Sequence, residues 1–288
     1  MIIDSHAHFE PRMLAEADLI QKLDAAGVDK VALIPAMNDP LPHVPEFLIG
    51  AARLAMQSAL TRPLAEAAHR LTLTGEGNLK LSGKEYAIYP QPDNEPAFAL
   101  VKKYPDRFLA WAFLNPKGNP RVLDDLEKWR HTQGMIGVKL HPHWHDYTTD
   151  LLYPLFERMQ ELNLPALIHL GFGKRGDFRA IAEKFPRLKI ISAHAGFPFY
   201  QDMWNFAKLH NIYVDLSSPY IDEGLARAAV KAMGADRCLY GTDAPYGFSD
   251  EHHGYDYTEI RGWVERLPVG QREKEKIFSQ NFLQIVSK

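Results

Sequence analysis

The hydrophobic residues of this chain fall into short runs that alternate with longer stretches of mixed polar and apolar residues. Eight of the runs are rich in β-branched or aromatic residues and have the length of buried strands. These eight predicted strands are Met1–His8, Lys30–Ala36, Phe108–Asn115, Met135–Pro142, Pro165–Gly171, Lys189–Gly196, Ile212–Ser218 and Arg237–Pro245.

The stretches between most of these strands have the three- and four-residue apolar spacing of helices. Leu155, Phe156 and Met159, for example, precede the fifth strand, and a last helical run, Gln271–Val286, follows the eighth. Strands that alternate with helices pair in parallel. The pattern therefore predicts an α/β fold, a (β/α)8 TIM barrel.

One connection is much longer than the others. The segment of roughly 40–105, between the second and third strands, contains an alanine-rich helical stretch (Phe47–Arg70) and a Gly/Pro-rich stretch (Gly75–Pro92). We expect it to be an insertion over one end of the barrel, acting as a lid or as an oligomer contact. No linker interrupts the pattern, so residues 1–288 are expected to form a single domain.

Composition narrows the classes of partner. Of the 288 residues, 46% are hydrophobic and 24% are charged, which is typical of a soluble globular protein. The net charge of −3 argues against nucleic acid and gives no signal for a membrane surface. The single cysteine, Cys238, excludes an intramolecular disulfide and indicates a reducing cytoplasm.

Polar side chains lie at the carboxyl ends of several predicted strands, where burial demands a partner. They are His6, His8, His169, His194 and Asp243. A divalent metal satisfies several imidazoles and a carboxylate at once, and barrel enzymes carry their chemistry at this end of the strands. Taken singly, each histidine could be a hydrogen-bonded core residue and Asp243 a helix cap. Together they predict a metalloenzyme.

Two loops at the same end are candidates for substrate contacts. The loop after the fourth strand contains His141 and Trp144, whose indole can stack on a flat ligand. Arg175, after the fifth strand, favours an acidic small-molecule substrate. The alternative for both loops is an ordinary solvated surface.

The motifs jointly resemble those of the amidohydrolase superfamily. They are D-S-H-A-H on strand one, G-V-K-L-H-P on strand four, I-H-L-G on strand five, A-H-A-G on strand six and Y-G-T-D-A-P on strand eight. Within that superfamily the chain is similar to the branch related to aminocarboxymuconate-semialdehyde decarboxylase, often called amidohydrolase family 2. The matching motifs extend from Asp4 to Pro245.

This resemblance implies roles for individual residues. His6, His8, His169 and Asp243 would hold one divalent metal, with Zn²⁺ as the expected ion and Mn²⁺ or a second metal as alternatives. His194 and Asp243 would be catalytic, Asp243 by accepting a proton from metal-bound water. The branch also makes a homodimer an expectation.

Lys139 on the fourth strand is open to three interpretations. Relatives with two metals use a carbamylated lysine at this position as a bridging ligand. Lys139 could instead pair with a substrate carboxylate, or form an ion pair with Asp215 or Asp4 at the mouth of the barrel.

Three functions compete at this point. The leading hypothesis is a metal-dependent hydrolase in which activated water attacks the carbonyl of a small carboxylate-bearing ester, lactone or amide. The alternative is a non-oxidative decarboxylase using the same ligands. A non-catalytic metal-binding barrel is disfavoured, because such a protein has no need of the four ligands together with His194.

Overall fold

Eight parallel strands form one sheet in chain order. The computed structural model describes residues 1–42, 44–58, 60–81, 83–247 and 255–287. The strands are Ile3–Phe9, Lys30–Pro35, Phe108–Phe113, Met135–Leu140, Ala166–Ile168, Ile190–Ser192, Ile212–Asp215 and Cys238–Leu239.

Backbone hydrogen bonds join the first strand to the segment that follows the eighth. Ser5 N donates to Tyr240 O over 3.0 Å, and Thr242 N donates to His6 O over 3.1 Å. The eighth strand itself ends at Leu239, so this following segment completes the ring. The predicted (β/α)8 TIM barrel is confirmed.

Helices connect the strands, and none in the described part of the chain has the length and apolarity needed to cross a membrane. The α-helices of five or more residues are Glu16–Ala26, Glu46–Gln57, Arg62–Leu71, Glu95–Lys103, Val122–Trp129, Tyr153–Glu161, Phe178–Lys184, Glu223–Met233, Thr258–Glu265, Gln271–Glu275 and Asn281–Val286. The short helical segments are Pro142–His145, Thr149–Leu152, Gly173–Gly176, Ala193–Gly196, Tyr200–Asp202, Met203–Phe206, Ala235–Arg237 and Lys276–Gln280.

Side chains along each strand alternate between two apolar layers. On the second strand, Val31 and Leu33 pack in the large cluster shared with the helices, whereas Ala32 and Ile34 belong to a separate cluster that also contains Trp111. This two-residue period is what a strand buried on both faces requires. One layer binds the helices to the barrel, and the other fills its interior.

The insertion between the second and third strands is confirmed, with a different internal structure from the one predicted. The single helical stretch Phe47–Arg70 is in fact two helices, Glu46–Gln57 and Arg62–Leu71. Pro63 lies in the first turn of the second helix, where its missing N–H costs nothing, but it cannot continue a helix from the preceding residues. An antiparallel hairpin also forms within the Gly/Pro-rich stretch, from Leu79–Leu81 and Lys84–Tyr86. The single domain stays a prediction.

Seven of the eight predicted strands, all but the first, extend too far at their carboxyl ends. His169 directly follows its strand, His194 lies just beyond the strand that ends at Ser192, and Asp243 lies beyond Leu239. The backbone leaves the ladder there, because His194 and Asp243 have left-handed φ angles of 54° and 59°. These candidate residues therefore sit on the turns at the rim, above the strands.

Candidate active site

Three of the four predicted metal ligands converge. His6 Nε2 lies 3.1 Å, and His8 Nε2 3.4 Å, from the same oxygen of Asp243, Oδ1. Potential ligand atoms from the three residues all lie within 4.8 Å of one another, and all three residues are buried. This is the spacing at which one ion can be shared.

The first strand and the turn after the eighth bring these groups together. His6 and His8 are two apart on one strand, so both rings project to the same side. The backbone N–H of Asp243 donates to His6 O over 2.6 Å, which fixes the turn beside that strand. The fully buried carboxylate of Asp4 adds a second tie by accepting from Thr242 N over 3.1 Å.

Hydrogen bonds on the opposite ring nitrogens orient both imidazoles. His6 Nδ1 lies 2.9 Å from Asp215 Oδ2, and His8 Nδ1 lies 3.3 Å from Pro35 O. Each Nδ1–H is thereby held as a donor, which leaves Nε2 as the lone-pair atom facing Asp243. A carboxylate or carbonyl behind a histidine is the usual support of a metal ligand.

Asp215 is a part of the site that sequence reasoning did not assign. Its second oxygen, Oδ1, accepts from His194 N over 2.9 Å and from Ser217 N over 3.1 Å. Because these bonds and that to His6 occupy both oxygens, Asp215 holds other residues in place. The signal was available, since Asp215 ends the seventh strand as the other candidates follow theirs.

Asp243 brings a negative charge to the convergence point, where it lies close to the Lys139 ammonium. Burial alone would raise the pKa of Asp243, but the neighbouring His6 and His194 hold it well below its usual range, so the carboxylate is ionised. Burial also lowers the pKa of His8, which favours the neutral, lone-pair form. Two imidazole nitrogens and one carboxylate oxygen suit a divalent ion such as Zn²⁺ or Mn²⁺.

His169 and His194 form a pair beside this cluster. His169 Nδ1 lies 3.2 Å from His194 Nε2, and His194 Nδ1 lies 2.9 Å from Ser217 Oγ. His169 Nε2 is buried and has no hydrogen-bond partner among the described residues. An unpartnered buried nitrogen next to the three converging groups is compatible with a fourth ligand. The predicted roles of both histidines stay predictions.

Lys139 is fully buried and lies against the same cluster. Its Nζ lies 3.1 Å from His6 Nε2. Burial lowers the pKa of the Lys139 ammonium to about 8, against the opposing charges of Asp243 and Asp215. With this pKa the ammonium is still mostly charged at neutral pH but loses its proton more readily than an exposed lysine, so all three interpretations stay open.

A cavity of about 570 Å³ opens onto the cluster. His8, Lys139, His169 and Asp243 lie in its wall. Other parts of the wall are apolar or aromatic and come from both the barrel loops and the insertion; among them are Leu48, Met56, Leu79, Phe172, Phe197, Tyr220 and Tyr246. The size and lining are typical of a site for one small organic molecule.

The predicted substrate-contact residues separate into two groups. His141 and Trp144 line the cavity, and the backbone N–H of Trp144 donates to His141 Nδ1 over 3.2 Å. Arg175 instead donates to His143 O over 3.2 Å and pairs with Asp146 at 3.0 Å. Contact of these residues with a substrate stays a prediction.

Histidines and a carboxylate gathered at the carboxyl end of a (β/α)8 barrel define a metal-dependent barrel enzyme as the class to which the chain should be compared. The model of the amidohydrolase family matches residues 3–282, and the chain belongs to that family. The resemblance seen in the sequence motifs is confirmed, and the protein is an enzyme of the amidohydrolase superfamily.

Similar proteins with named activities include two curated relatives. A gamma-resorcylate decarboxylase of Polaromonas sp. is 23% identical, and the match covers 62% of this chain and 69% of the relative. A 2-keto-4-carboxy-3-hexenedioate hydratase of Sphingobium sp. is 22% identical, and the match covers 98% and 94%.

The fold also matches solved structures. A dihydroxybenzoic acid decarboxylase from Polaromonas sp., with bound manganese and the inhibitor 2-nitroresorcinol, superposes with a TM-score of 0.63 at 17% identity. The match covers 99% of this chain and 96% of that structure. At this level of identity the likeness supports the barrel fold alone.

Proposed function

We propose that this protein is a metal-dependent, non-oxidative decarboxylase of a small aromatic acid. The observation that carries the proposal is the convergence of His6, His8 and Asp243 beside a cavity with aromatic walls, which His8 and Asp243 line. Trp144 and Phe197 in that wall offer flat apolar surfaces to a ring. The polar cluster lies where the ring's carboxylate would be held.

His6, His8 and Asp243 would hold one divalent ion, with His169 as the fourth ligand. When bound, the ion supplies a Lewis acid that holds the substrate carboxylate and draws electron density from it. Zn²⁺ suits the nitrogen and oxygen donors, and the manganese in the Polaromonas structure makes Mn²⁺ the alternative. Counting metal atoms per chain would also decide whether Lys139 takes part in a second site.

Asp243 is the residue we assign to proton transfer. Its carboxylate begins ionised and takes a proton from an acidic hydroxyl of the substrate or from water. It then delivers that proton to the ring carbon that carries the carboxylate, which forms a C–H bond. The C–C bond to the carboxylate breaks, its electron pair returns to the ring, and carbon dioxide leaves.

His194 serves this scheme as a neutral hydrogen-bonding group. Burial lowers the pKa of His194 to about 4, although the charge of Asp243 opposes the shift. Its Nε2 lies against His169 Nδ1 and would keep the His169 ring oriented. Replacing His194 by Asn should therefore abolish turnover while the metal is retained, and metal per chain and carbon dioxide release measure the two outcomes.

The curated relatives favour carbon–carbon or carbon–oxygen lyase chemistry over the hydrolysis first expected. One is named a decarboxylase and the other a hydratase. A metal that holds a carboxylate and a residue that transfers a proton can serve both reactions, and the site offers groups for both. The decarboxylase alternative of the sequence analysis therefore becomes the leading proposal.

Hydration of an unsaturated polycarboxylic acid is the second candidate. The observation that favours it is coverage, because the match to the hydratase extends over 98% of this chain and the match to the decarboxylase over 62%. In that reaction Asp243 would take a proton from the attacking water, and a proton would be added to the neighbouring carbon.

Product analysis separates these reactions. The protein loaded with Mn²⁺ or Zn²⁺ is incubated with gamma-resorcylate, or with 2-keto-4-carboxy-3-hexenedioate, in ¹⁸O-labelled deuterated water. Decarboxylation predicts carbon dioxide and a product with deuterium on the ring carbon and no ¹⁸O bonded to carbon. An ¹⁸O-labelled alcohol, formed from 2-keto-4-carboxy-3-hexenedioate without carbon dioxide, would replace the proposal with hydration. Neither acid has a bond that hydrolysis would cleave, so hydrolysis is tested by a parallel incubation with a carboxylate-bearing ester, where it predicts an ¹⁸O-labelled carboxylate.

A further inference from the structure

Three imidazoles lie in sequence from the proposed metal centre toward the insertion. The rings of His169 and His143 are nearly parallel, at an angle of 5°, with centroids 5.0 Å apart. His69 in turn stacks on His143, with ring centroids 4.3 Å apart and an angle of 17° between the rings. His143 and His69 therefore extend the polar lining of the cavity away from the metal cluster.

His69 comes from the insertion, on the helix Arg62–Leu71. The apolar residues Leu64 and Leu71 of this helix are 70% and 84% exposed, whereas Ala65 and His69 line the cavity. Ala65 and His69 are four residues apart, which places them on one side of the helix. The helix thus turns a titratable residue inward while leaving leucines outside.

One nitrogen in each of the His69 and His143 rings has no hydrogen-bond partner among the described residues. His69 Nε2 and His143 Nδ1 are buried without a hydrogen bond among the described residues. A buried polar atom left without a partner costs about 1–3 kcal/mol, so such atoms normally serve a ligand or water. Rotation of an imidazole about Cβ–Cγ exchanges nitrogen and carbon edges, so a nitrogen of either ring can turn to the cavity.

The surrounding charge favours an anionic partner for these nitrogens. Burial, followed by the charge of Arg175, lowers the pKa of His69 to about 4. His69 is therefore neutral at neutral pH and can donate one N–H to an anion, and Arg175 adds positive charge nearby although it also pairs with Asp146.

We infer that His69 and His143 form a second subsite, which binds an acidic substituent of the substrate on the side remote from the proposed metal centre. The inference rests on the proposed function for the presence of an organic acid in this cavity. It makes the preferred substrate a dicarboxylic acid, with one carboxylate at the metal ligands and the other at the stacked imidazoles. His69 then gives the insertion a role in selecting the substrate.

Binding of two matched probes tests the subsite without requiring turnover. Benzoate and isophthalate share one ring and differ by a second carboxylate, and their dissociation constants are measured by titration calorimetry with the full-length, Mn²⁺-loaded protein. The wild type should bind isophthalate more tightly than benzoate. His69→Phe keeps an aromatic ring in the stack and removes its nitrogens, so the preference should fall about tenfold or more.

Two further variants show whether a lost preference for isophthalate is due to the nitrogens of His69. His69→Gln retains an N–H donor and should recover part of the preference, whereas the exposed His131→Phe should leave it unchanged. If His69→Phe does not fold, His69→Leu replaces it and should lose the same preference.

The inference is overturned if the wild type binds isophthalate no more tightly than benzoate, or binds neither. It is also overturned if His69→Phe, or His69→Leu in its place, keeps the full preference. Loss of the preference in the variant, together with no release of carbon dioxide from any acid by the wild type, would support the subsite and reject the decarboxylase. The two proposals therefore fail separately.

Discussion

Two sets of histidines, one at the proposed metal centre and one farther along the cavity, differ in how many of their nitrogens have hydrogen-bond partners. In the inner set, His6 and His8, each Nδ1 has an acceptor and each Nε2 faces Asp243. In the outer set, His69 and His143, nitrogens are buried with no partner among the described residues. The inner set is oriented in advance for an ion, and the outer set is left to be completed by a ligand.

Removing a histidine of the inner set should have the largest effect on metal binding. His6→Ala removes one of the nitrogens proposed to bind the metal. It also removes the contacts of the His6 ring with the buried carboxylates of Asp243 and Asp215. We expect metal affinity to fall by about 10²-fold or more. Metal per chain is measured by plasma mass spectrometry after loading and desalting, with exposed His131→Ala as the control. Full retention of metal by the His6 variant would show that the ligand assignment is wrong.

Changing the support behind the inner set should have a smaller effect. Asp215→Asn preserves the shape of the side chain but weakens the acceptor for His6 Nδ1. We expect metal affinity to fall about 10- to 100-fold, as is usual when the hydrogen-bond partner of a ligand is lost. Competition with a chelator of known affinity measures the change. An unchanged affinity would mean that Asp215 does not orient His6.

The smallest expected effects are on the free energy of unfolding. They come from a leucine in the barrel interior and a leucine on the surface of the insertion. Leu167 is fully buried in the interior cluster, whereas Leu64 on the insertion helix is 70% exposed. Leu167→Ala should lower the free energy of unfolding by about 2–5 kcal/mol, because a cavity replaces the lost side chain. Leu64→Ala should change it by less than about 0.5 kcal/mol.

Denaturant unfolding of the two leucine variants provides the comparison. Equal losses in the two variants would contradict the assignment of Leu64 to the surface. A larger loss for Leu64→Ala would indicate that a further molecule covers this face of the insertion in solution.

The strands were predictable because buried strands read as apolar runs, and all eight were found. Their carboxyl ends were not, since the left-handed turns at His194 and Asp243 depend on bonds to distant segments, such as that from Asp243 N to His6 O. Strand order predicted that His6, His8 and Asp243 lie at one end of the barrel, and the family resemblance implied that they share an ion. Sequence spacing predicts that the candidate residues lie at the rim of the barrel, but it does not predict the distances between their side chains.

The residues that sequence reasoning missed belong to two kinds. Asp215 carried the same signal as the assigned candidates, a polar residue at the end of an apolar run, and was considered only as a charge partner for Lys139. His69 carried none, because its approach to His143 depends on how the insertion packs on the barrel. Such tertiary contacts have no local pattern in the chain.

Anomalous X-ray diffraction from crystals of the Mn²⁺-loaded protein tests the central claim most directly. The account predicts an anomalous peak at bonding distance from Nε2 of His6 and His8 and from the carboxylate of Asp243. A manganese peak away from these three residues, or no peak in crystals grown with saturating Mn²⁺, would contradict it.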